Sequence, residues 1–266
     1  MRKDYKQINA FLRMEKKGQI AIFVVIALVI VAVIIAVFLF PNINVGTSAE
    51  VNPNSFLREC IDSEMDGVLE AVSAQGGSII PDNYIMYQDD KIQYLCYTSE
   101  YYKTCVVQQP LLVRHVQNEI KKVIEPSAQQ CLRELIDEYE SKGYDVQGSA
   151  GELNVTIIPG KINVEFNAPL SVTKEGTQSF RKFGVSMESE IYDLLMTATS
   201  IVQFESSLGD SEPLMYIQYY PDLKIEKISR DDGTTIYRLS NVVSGDRFTF
   251  ASRSLVFPAG YGLENQ

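Results

Sequence analysis

The sequence predicts an α+β protein in which an N-terminal transmembrane helix is followed by a disulfide-stapled helical and meander subdomain and then by an antiparallel sheet packed with one helix. Three observations support this prediction. A run of 21 apolar residues extends from Ile20 to Phe40, all four cysteines follow that run, and the apolar pattern beyond it changes from helical spacing to strict alternation. We therefore expect five segments, at residues 1–18, 19–40, 41–53, 54–147 and 148–266.

The apolar run is long enough to span a bilayer, because at 1.5 Å per residue it extends for about 30 Å. Six basic residues precede it and none follows before Arg58. The positive-inside bias therefore places residues 1–18 in the cytoplasm as a basic leader and the rest of the chain outside. We expect a single-pass protein of the cell membrane whose Ile20–Phe40 helix contacts lipid and whose C-terminal domain is extracellular. Residues 41–53, rich in Pro, Asn and Gly, form a stalk.

The chain beyond the leader is strongly acidic. Residues 19–266 carry 18 basic and 32 acidic side chains, which is a net charge of −14. A domain with this charge repels polyanions, so nucleic acid and anionic lipid head groups are disfavoured as partners.

The cysteines indicate two disulfides. No C-x-x-C pair occurs and the single histidine is His115, so a zinc site at the usual spacings is not expected. An even number of cysteines in an exported domain is typical of disulfides. Cys60 and Cys131 lie on the apolar stripes of two predicted helices, whereas Cys96 and Cys105 flank a predicted hairpin turn. We expect the pairs Cys60–Cys131 and Cys96–Cys105.

The first half of the exported part is predicted to contain helices around a short meander. The spacing predicts a helix from an N-cap at Asn54 to residue 77, and two helical pieces between Pro110 and Gly143 that are separated at Pro126. Three β-prone pieces lie between the helices: Tyr84–Tyr87, Ile92–Tyr97 and Tyr101–Val107. The Gly- and Ser-containing stretch at residues 147–151 marks the expected domain boundary.

The second half is predicted to be β-rich. Strict alternation in Leu153–Ile157 and Ile162–Phe166, joined by Pro159-Gly160, predicts an amphipathic hairpin. A 3.6-residue period then predicts a helix over about residues 187–208, capped by Ser186 and ended by Gly209, whose apolar stripe should cover the inner face of the hairpin sheet. Four further β-prone pieces follow: Leu214–Tyr220, Leu223–Ser229, Thr234–Leu239 and Asp246–Ala251.

No motif for catalysis is present. The sequence lacks the G-x-S-x-G, Walker A and G-x-G-x-x-G patterns. A Ser-His-Asp or Cys-His arrangement would need His115, which lies in a predicted helix beside Arg114 and is interpreted as an ordinary helix residue. We therefore predict no catalytic, cofactor-binding or metal-binding residue, no cofactor and no enzymatic activity.

Tyrosine is the unusual component, with 15 residues and no Trp. Six tyrosines cluster in the predicted meander: Tyr84, Tyr87, Tyr94, Tyr97, Tyr101 and Tyr102. Half-buried strands favour Tyr, and an exposed group of tyrosines would suit contact with a protein or a glycan. Asn154, in the one N-x-S/T sequon, is a candidate glycosylation site on the water-facing side of its strand.

The junction Lys16-Lys17-Gly18-Gln19, followed directly by the apolar run, resembles the class III signal of archaeal type IV pilin-like proteins. The resemblance implies a cut between Gly18 and Gln19 by a prepilin-type peptidase, with the apolar helix retained, and it makes Met14 an alternative start to Met1. Many members carry Glu at the fifth mature position, whereas this chain has Phe23. The whole chain is also similar to single-span surface proteins of small-genome archaea, which implies a location more than an activity.

Three hypotheses follow for the function. The first is a membrane-anchored extracellular protein with a structural or binding role in adhesion or in the cell envelope. The second is a pilin-like filament subunit processed after Gly18, which Phe23 disfavours because the usual Glu assists subunit assembly. The third is a surface enzyme, which no motif supports.

Overall fold

The computed structural model describes residues 25–31 and 52–256. Residues 25–31 are helical, with exposed side chains. The remainder of the expected span Ile20–Phe40, the junction Gly18-Gln19 and the stalk up to residue 51 lie outside the described residues. Among the residues that are described, no helix is both long and apolar enough to cross a membrane.

Two long helices form the first half of the folded part. Helix α1 (Pro53–Ala74) is capped by Asn52, whose side chain accepts a hydrogen bond from the Asn54 amide at 3.0 Å. The expected cap at Asn54 is therefore wrong by two positions, since Pro53 takes the first helical position, where its missing N–H costs nothing. Helix α2 (Leu112–Ser141) is continuous through Pro126. The expected break does not occur because buried side chains on both sides of the proline, Ile124 and Ala128, keep the helix packed.

Both disulfides are present in the structure. Cys60–Cys131 joins α1 to α2. Cys96–Cys105 joins the second and third pieces of the expected meander, Ile92–Tyr97 and Tyr101–Val107. The two pairs are those expected from the sequence. Cys60 lies early in α1 and Cys131 late in α2, whereas Gly77, just after α1, lies close to Val116 near the start of α2. The two helices therefore run antiparallel.

The strands form two sheets. The strands of the first are β1 (Tyr84–Tyr87), β2 (Asp90–Tyr97), β3 (Val106–Val107), β8 (Leu223–Ser229), β9 (Thr234–Asn241) and β10 (Arg247–Arg253). They lie in the order β1-β2-β10-β9-β8, and β3 also pairs with β2. The second, which we call the hairpin sheet, consists of β4 (Asp145–Gly148), β5 (Leu153–Ile158), β6 (Lys161–Thr173) and β7 (Thr177–Glu188), with β6 at its centre.

The first sheet is mixed, because β2 and β10 pair in parallel, with Tyr94 opposite Ala251 and Tyr97 opposite Arg253. This pairing connects the two halves of the exported part, and the described residues 52–256 belong to one compact unit. The residues on either side of 147–151 therefore pack together within that unit. Part of that stretch is strand β4, which pairs with β6.

The remaining helices differ in part from expectation. Helix α3 (Ile191–Leu208) ends at Gly209, whose φ of 87° suits glycine. It packs mainly on the first sheet, whereas α1 and α2 cover most of the hairpin sheet. Residues 214–219 form helix α4 (Leu214–Tyr219) instead of the expected strand, and only Val106–Val107 of the expected strand Tyr101–Val107 is extended.

One hydrophobic core joins these elements. It contains buried side chains from α1, α2 and α3 and from both sheets, including Leu57, Ile120, Phe166, Leu195 and Phe250. A small second cluster of Ile92, Tyr94, Ile236 and Ala251 covers the opposite face of the first sheet.

Removing Cys60–Cys131 should destabilise the fold more than removing Cys96–Cys105. The bridged residues are 71 and 9 positions apart, so loop entropy predicts losses of about 4 and about 2.5 kcal/mol in the free energy of unfolding. We expect this order in urea unfolding of the double variants Cys60→Ala/Cys131→Ala and Cys96→Ala/Cys105→Ala, followed by near-UV circular dichroism on the full chain in detergent. Equal losses for the two variants would contradict the prediction.

Candidate binding surface

Helix α4 presents apolar side chains to solvent. All six of its residues are described, and none is buried. Met215 and Tyr219 are 56% and 78% exposed, and Tyr220 and Phe204 lie beside them with large exposed fractions. We call the group Phe204, Met215, Tyr216, Tyr219 and Tyr220 the α4 surface. Contiguous exposed apolar side chains of this kind mark interaction sites in soluble domains.

Local hydrogen bonds hold α4 in place. Glu212 Oε1 accepts from the Leu214 amide at 3.1 Å, and the Ile217 amide donates to the Pro213 carbonyl at 3.4 Å. The Tyr216 hydroxyl lies 2.9 Å from Ser200 Oγ of α3. These contacts position a helix that is too short to be stable on its own.

The larger of two adjacent cavities, about 470 Å³, lies between α3, α4 and the turns that flank β8 and β9. Tyr216 and Tyr220 form part of its wall. Three carboxylates, Glu190, Asp193 and Asp222, also line it. A cation is the ligand group that both a carboxylate and an aromatic face favour.

The smaller cavity, about 260 Å³, is enclosed by the α4 surface itself. Its polar lining residues are Ser211 and Glu212. Ser211 is 2% exposed, and its Oγ has no hydrogen-bond partner within the described part of the chain. A buried hydroxyl without a partner is unfavourable, so Ser211 Oγ is an unsatisfied polar atom in the lining of this cavity.

The charge of the two cavities is uniformly negative. Among their described lining residues are Glu190, Asp193, Glu212 and Asp222, and no lysine or arginine. The described residues contain no group of three or more His, Cys, Asp or Glu side chains placed to hold a metal ion. The carboxylates of the two cavities favour a cationic group over an anionic one.

The residue that follows Phe204 of the α4 surface is a buried glutamate, Glu205. Glu205 of α3 is 2% exposed, its Oε1 accepts a hydrogen bond from the Tyr237 hydroxyl, and its Oε2 accepts one from Ser252 Oγ at 3.2 Å. Burial, with a smaller contribution from Asp210, raises the pKa of Glu205 to about 7. The same burial, together with the Glu205 charge, raises the pKa of Tyr237, so this tyrosine remains a donor.

Half of the predicted tyrosine cluster packs within the first sheet. Tyr94 is buried and its hydroxyl lies 2.9 Å from Thr234 Oγ1. Arg238 and Arg253 lie over the rings of Tyr87 and Tyr97, each 5.8 Å from the ring centroid. Three members are exposed, Tyr84, Tyr101 and Tyr102. Asn154, the candidate glycosylation residue, is exposed on β5.

His115 contacts Ser78, which sequence analysis did not anticipate. The Ser78 Oγ–His115 Nε2 distance is 2.7 Å, and burial lowers the pKa of His115. Glu119, one helical turn away, accepts instead from the Ile79 amide and pairs with Lys122. A Ser-His-Glu catalytic triad is therefore not assembled, since the carboxylate does not orient the imidazole.

Sequence reasoning missed the α4 surface. The stretch Leu214–Tyr220 is rich in Tyr, Ile and Met, and these residues suggested a strand. A usable signal was present, since Glu212-Pro213 can cap a helix and Tyr and Met are enriched at protein interfaces.

Stability should fall between pH 4.5 and pH 7 because of Glu205. Its carboxyl keeps the proton up to pH of about 7 in the folded chain but loses it near 4.5 when unfolded. Unfolding therefore releases a proton in this window, and the free energy of unfolding decreases as pH rises, by about 3 kcal/mol in total. Glu205→Gln, whose side-chain oxygen can still accept from Tyr237 while its NH₂ group donates to Ser252 Oγ, should remove most of this slope in urea unfolding. An unchanged slope would show that other groups cause it.

Comparison with known proteins assigns no family to the chain. No protein-family model matches the sequence, and no curated protein matches it. The function must therefore be argued from the α4 surface and its two cavities.

Proposed function

We propose that this chain is a single-pass membrane protein whose folded domain faces the outside of the cell and binds a protein partner through the α4 surface. The observation that carries the binding role is the exposed group of Met and Tyr side chains around two cavities, one of which contains the unpartnered Ser211 Oγ. Aromatic residues and Met dominate the energetics of protein interfaces. This role is that of an adhesion or envelope protein and needs no catalytic group.

The partner segment should be both apolar and basic. Apolar side chains fit the smaller cavity, whose lining is mostly aromatic, and a Lys or Arg side chain fits the three carboxylates of the larger one. A second copy of this chain is a poor occupant, because residues 19–266 carry a net charge of −14 and like charges would meet.

Membrane anchoring rests on the sequence. The apolar run Ile20–Phe40 has the length of a spanning helix and an asymmetric basic flank. The two disulfides support an oxidising compartment for the folded domain. The segments therefore take the roles of cytoplasmic leader, anchor, stalk and extracellular domain.

Processing after Gly18 is a second candidate, favoured by the Lys16-Lys17-Gly18-Gln19 junction. N-terminal sequencing of the mature protein separates the two. A start at Gln19 together with filaments in sheared surface material supports the pilin-like subunit, whereas a start at Met1 or Met14 in the membrane fraction supports the unprocessed anchor.

A basic amphipathic peptide should bind the α4 surface. The probe is a 12-residue Leu/Lys peptide with blocked ends, and its control is the Leu/Glu peptide of the same pattern. We expect the Leu/Lys peptide to bind the full chain in detergent, measured by fluorescence anisotropy, because its apolar face and charge complement the two cavities. Met215→Asp and Tyr219→Asp should each weaken binding at least about 10-fold.

The matched control variant is Tyr101→Asp, which changes an exposed tyrosine outside both cavities. It should leave the affinity unchanged. Equal binding of the two peptides, or equal loss in the Tyr101 variant, would show that the α4 surface is not the binding site.

Topology can be measured with two tagged versions of the chain. We expect a C-terminal tag to bind antibody on intact cells, and a tag after residue 1 to bind only after permeabilisation, because the basic flank stays in the cytoplasm. Antibody binding to the N-terminal tag alone on intact cells would reverse the proposed orientation.

A further inference from the structure

A third cavity, about 340 Å³, lies between the segment that follows α1, helix α2 and strand β2. It shares no lining residue with the cavities of the α4 surface. Its polar lining side chains are Ser78, Asp82, Gln93, Gln109, His115, Glu119 and Lys122. The function proposed above uses none of them.

Two glycines create this site. Gly76 and Gly77, which follow α1, have φ values of 73° and 94°, and this left-handed conformation is one that glycine adopts without strain. A Cβ on Gly77 would lie 3.0 Å from Val116 Cγ2 of α2. The glycine pair therefore lets the chain approach α2 closely, which places Ser78 against His115 at 2.7 Å.

Two of the charged groups at the cavity neutralise each other. Glu119 forms an ion pair with Lys122 and accepts from the Ile79 amide at 3.0 Å. His115 is half-buried, and desolvation favours its uncharged form. The charge that remains is that of Asp82, which is exposed at the mouth of the cavity.

The side-chain oxygen of Gln93 lacks a hydrogen-bond donor. Its side chain lines the cavity and the residue is 6% exposed, yet Oε1 has no hydrogen-bond partner in the described part of the chain. Buried acceptors are almost always paired, and an unpaired one requires an explanation. A ligand that donates a hydrogen bond from within the cavity would supply the missing partner.

The acceptors of the cavity define the ligand. They include Gln93 Oε1, the Gln109 side-chain oxygen, the Asp82 carboxylate and Ser78 Oγ, which keeps a lone pair whichever member of the Ser78–His115 pair donates. We propose that this cavity binds a primary ammonium group carried on a short apolar chain. Its three N–H donors suit a cavity with several acceptors, its charge matches Asp82, and Ile79 and Val123 line the space for the alkyl part.

The proposal is tested with n-butylamine at pH 7 on the full chain in a nonionic detergent. Glutamine-selective ¹⁵N labelling reports the Gln93 amide in NMR titrations. We expect saturable shifts at Gln93 with a Kd of about 1 mM. Gln93→Leu should weaken binding at least about 10-fold because it removes a hydrogen bond to a charged group. In that variant the shifts of the labelled Gln109 amide, which also lines the cavity, report binding.

Matched ligands separate hydrogen bonding from charge alone. Trimethylbutylammonium has the same charge and no N–H, and n-butanol has no charge, so neither should shift Gln93. Nα-acetyl-lysine amide separates the two sources of the group: tighter binding than n-butylamine assigns a lysine side chain of a protein, and weaker binding assigns a free small amine.

Two variants at exposed residues test the proposal without changing a buried side chain. Asp82→Asn changes an exposed residue and should weaken binding about 3-fold, as expected for an exposed ion pair. Asp89→Asn changes an exposed carboxylate outside the cavity and should have no effect. The proposal is overturned if n-butylamine leaves Gln93 unshifted, if the trimethyl analogue binds equally well, or if Asp82→Asn and Asp89→Asn behave alike.

Discussion

The parallel pairing of β2 with β10 is the contact on which the rest of the described fold depends. It brings Ser252 opposite Cys96 and within 3.7 Å of Cys105 Sγ, and the same serine donates to Glu205 of α3. The meander, α3 and the last strand therefore meet at one residue. The connection between the paired strands contains the whole hairpin sheet and three helices, so the pairing closes a very long loop and requires a large buried core to offset the entropy of closure.

Local pattern predicted the elements, and it could not predict this pairing. The helical stripes placed Cys60 and Cys131 on buried faces, and strict alternation located the hairpin of β5 and β6. Alternation has a period of two whichever strand lies alongside, so it does not identify partners as distant in sequence as Cys96 and Ser252, which are 156 positions apart (252 − 96). The composition break at residues 147–151 lies between these two strands in sequence, and their pairing joins the parts of the chain on either side of it.

The α4 surface and the third cavity were missed for different physical reasons. In α4 the side chains prefer strands, and the hydrogen bond from the Leu214 amide to Glu212 together with the Tyr216–Ser200 contact overrides that preference. In the third cavity the signal is tertiary: Ser78 and His115 are 37 residues apart and meet because Gly76 and Gly77 redirect the chain onto α2. The glycines were visible in the sequence as a helix end, but the approach that they permit was not.

Some of the acidic residues of the domain are concentrated at the larger cavity. A net negative charge on its own promotes solubility, whereas here carboxylates line the larger cavity beside exposed aromatic side chains. Exposed Met and Tyr favour self-association, and like charges around them oppose it. In the proposed function these carboxylates both attract a basic partner and disfavour a second copy of the chain. Glu205 connects the α4 surface to the core. Its neighbour Phe204 lies on that surface, and its own carboxyl accepts a hydrogen bond from Tyr237 of the first sheet. Ionisation of that carboxyl would leave a buried charge between α3 and the first sheet, and α3 supplies Ser200, which bonds to Tyr216 of α4.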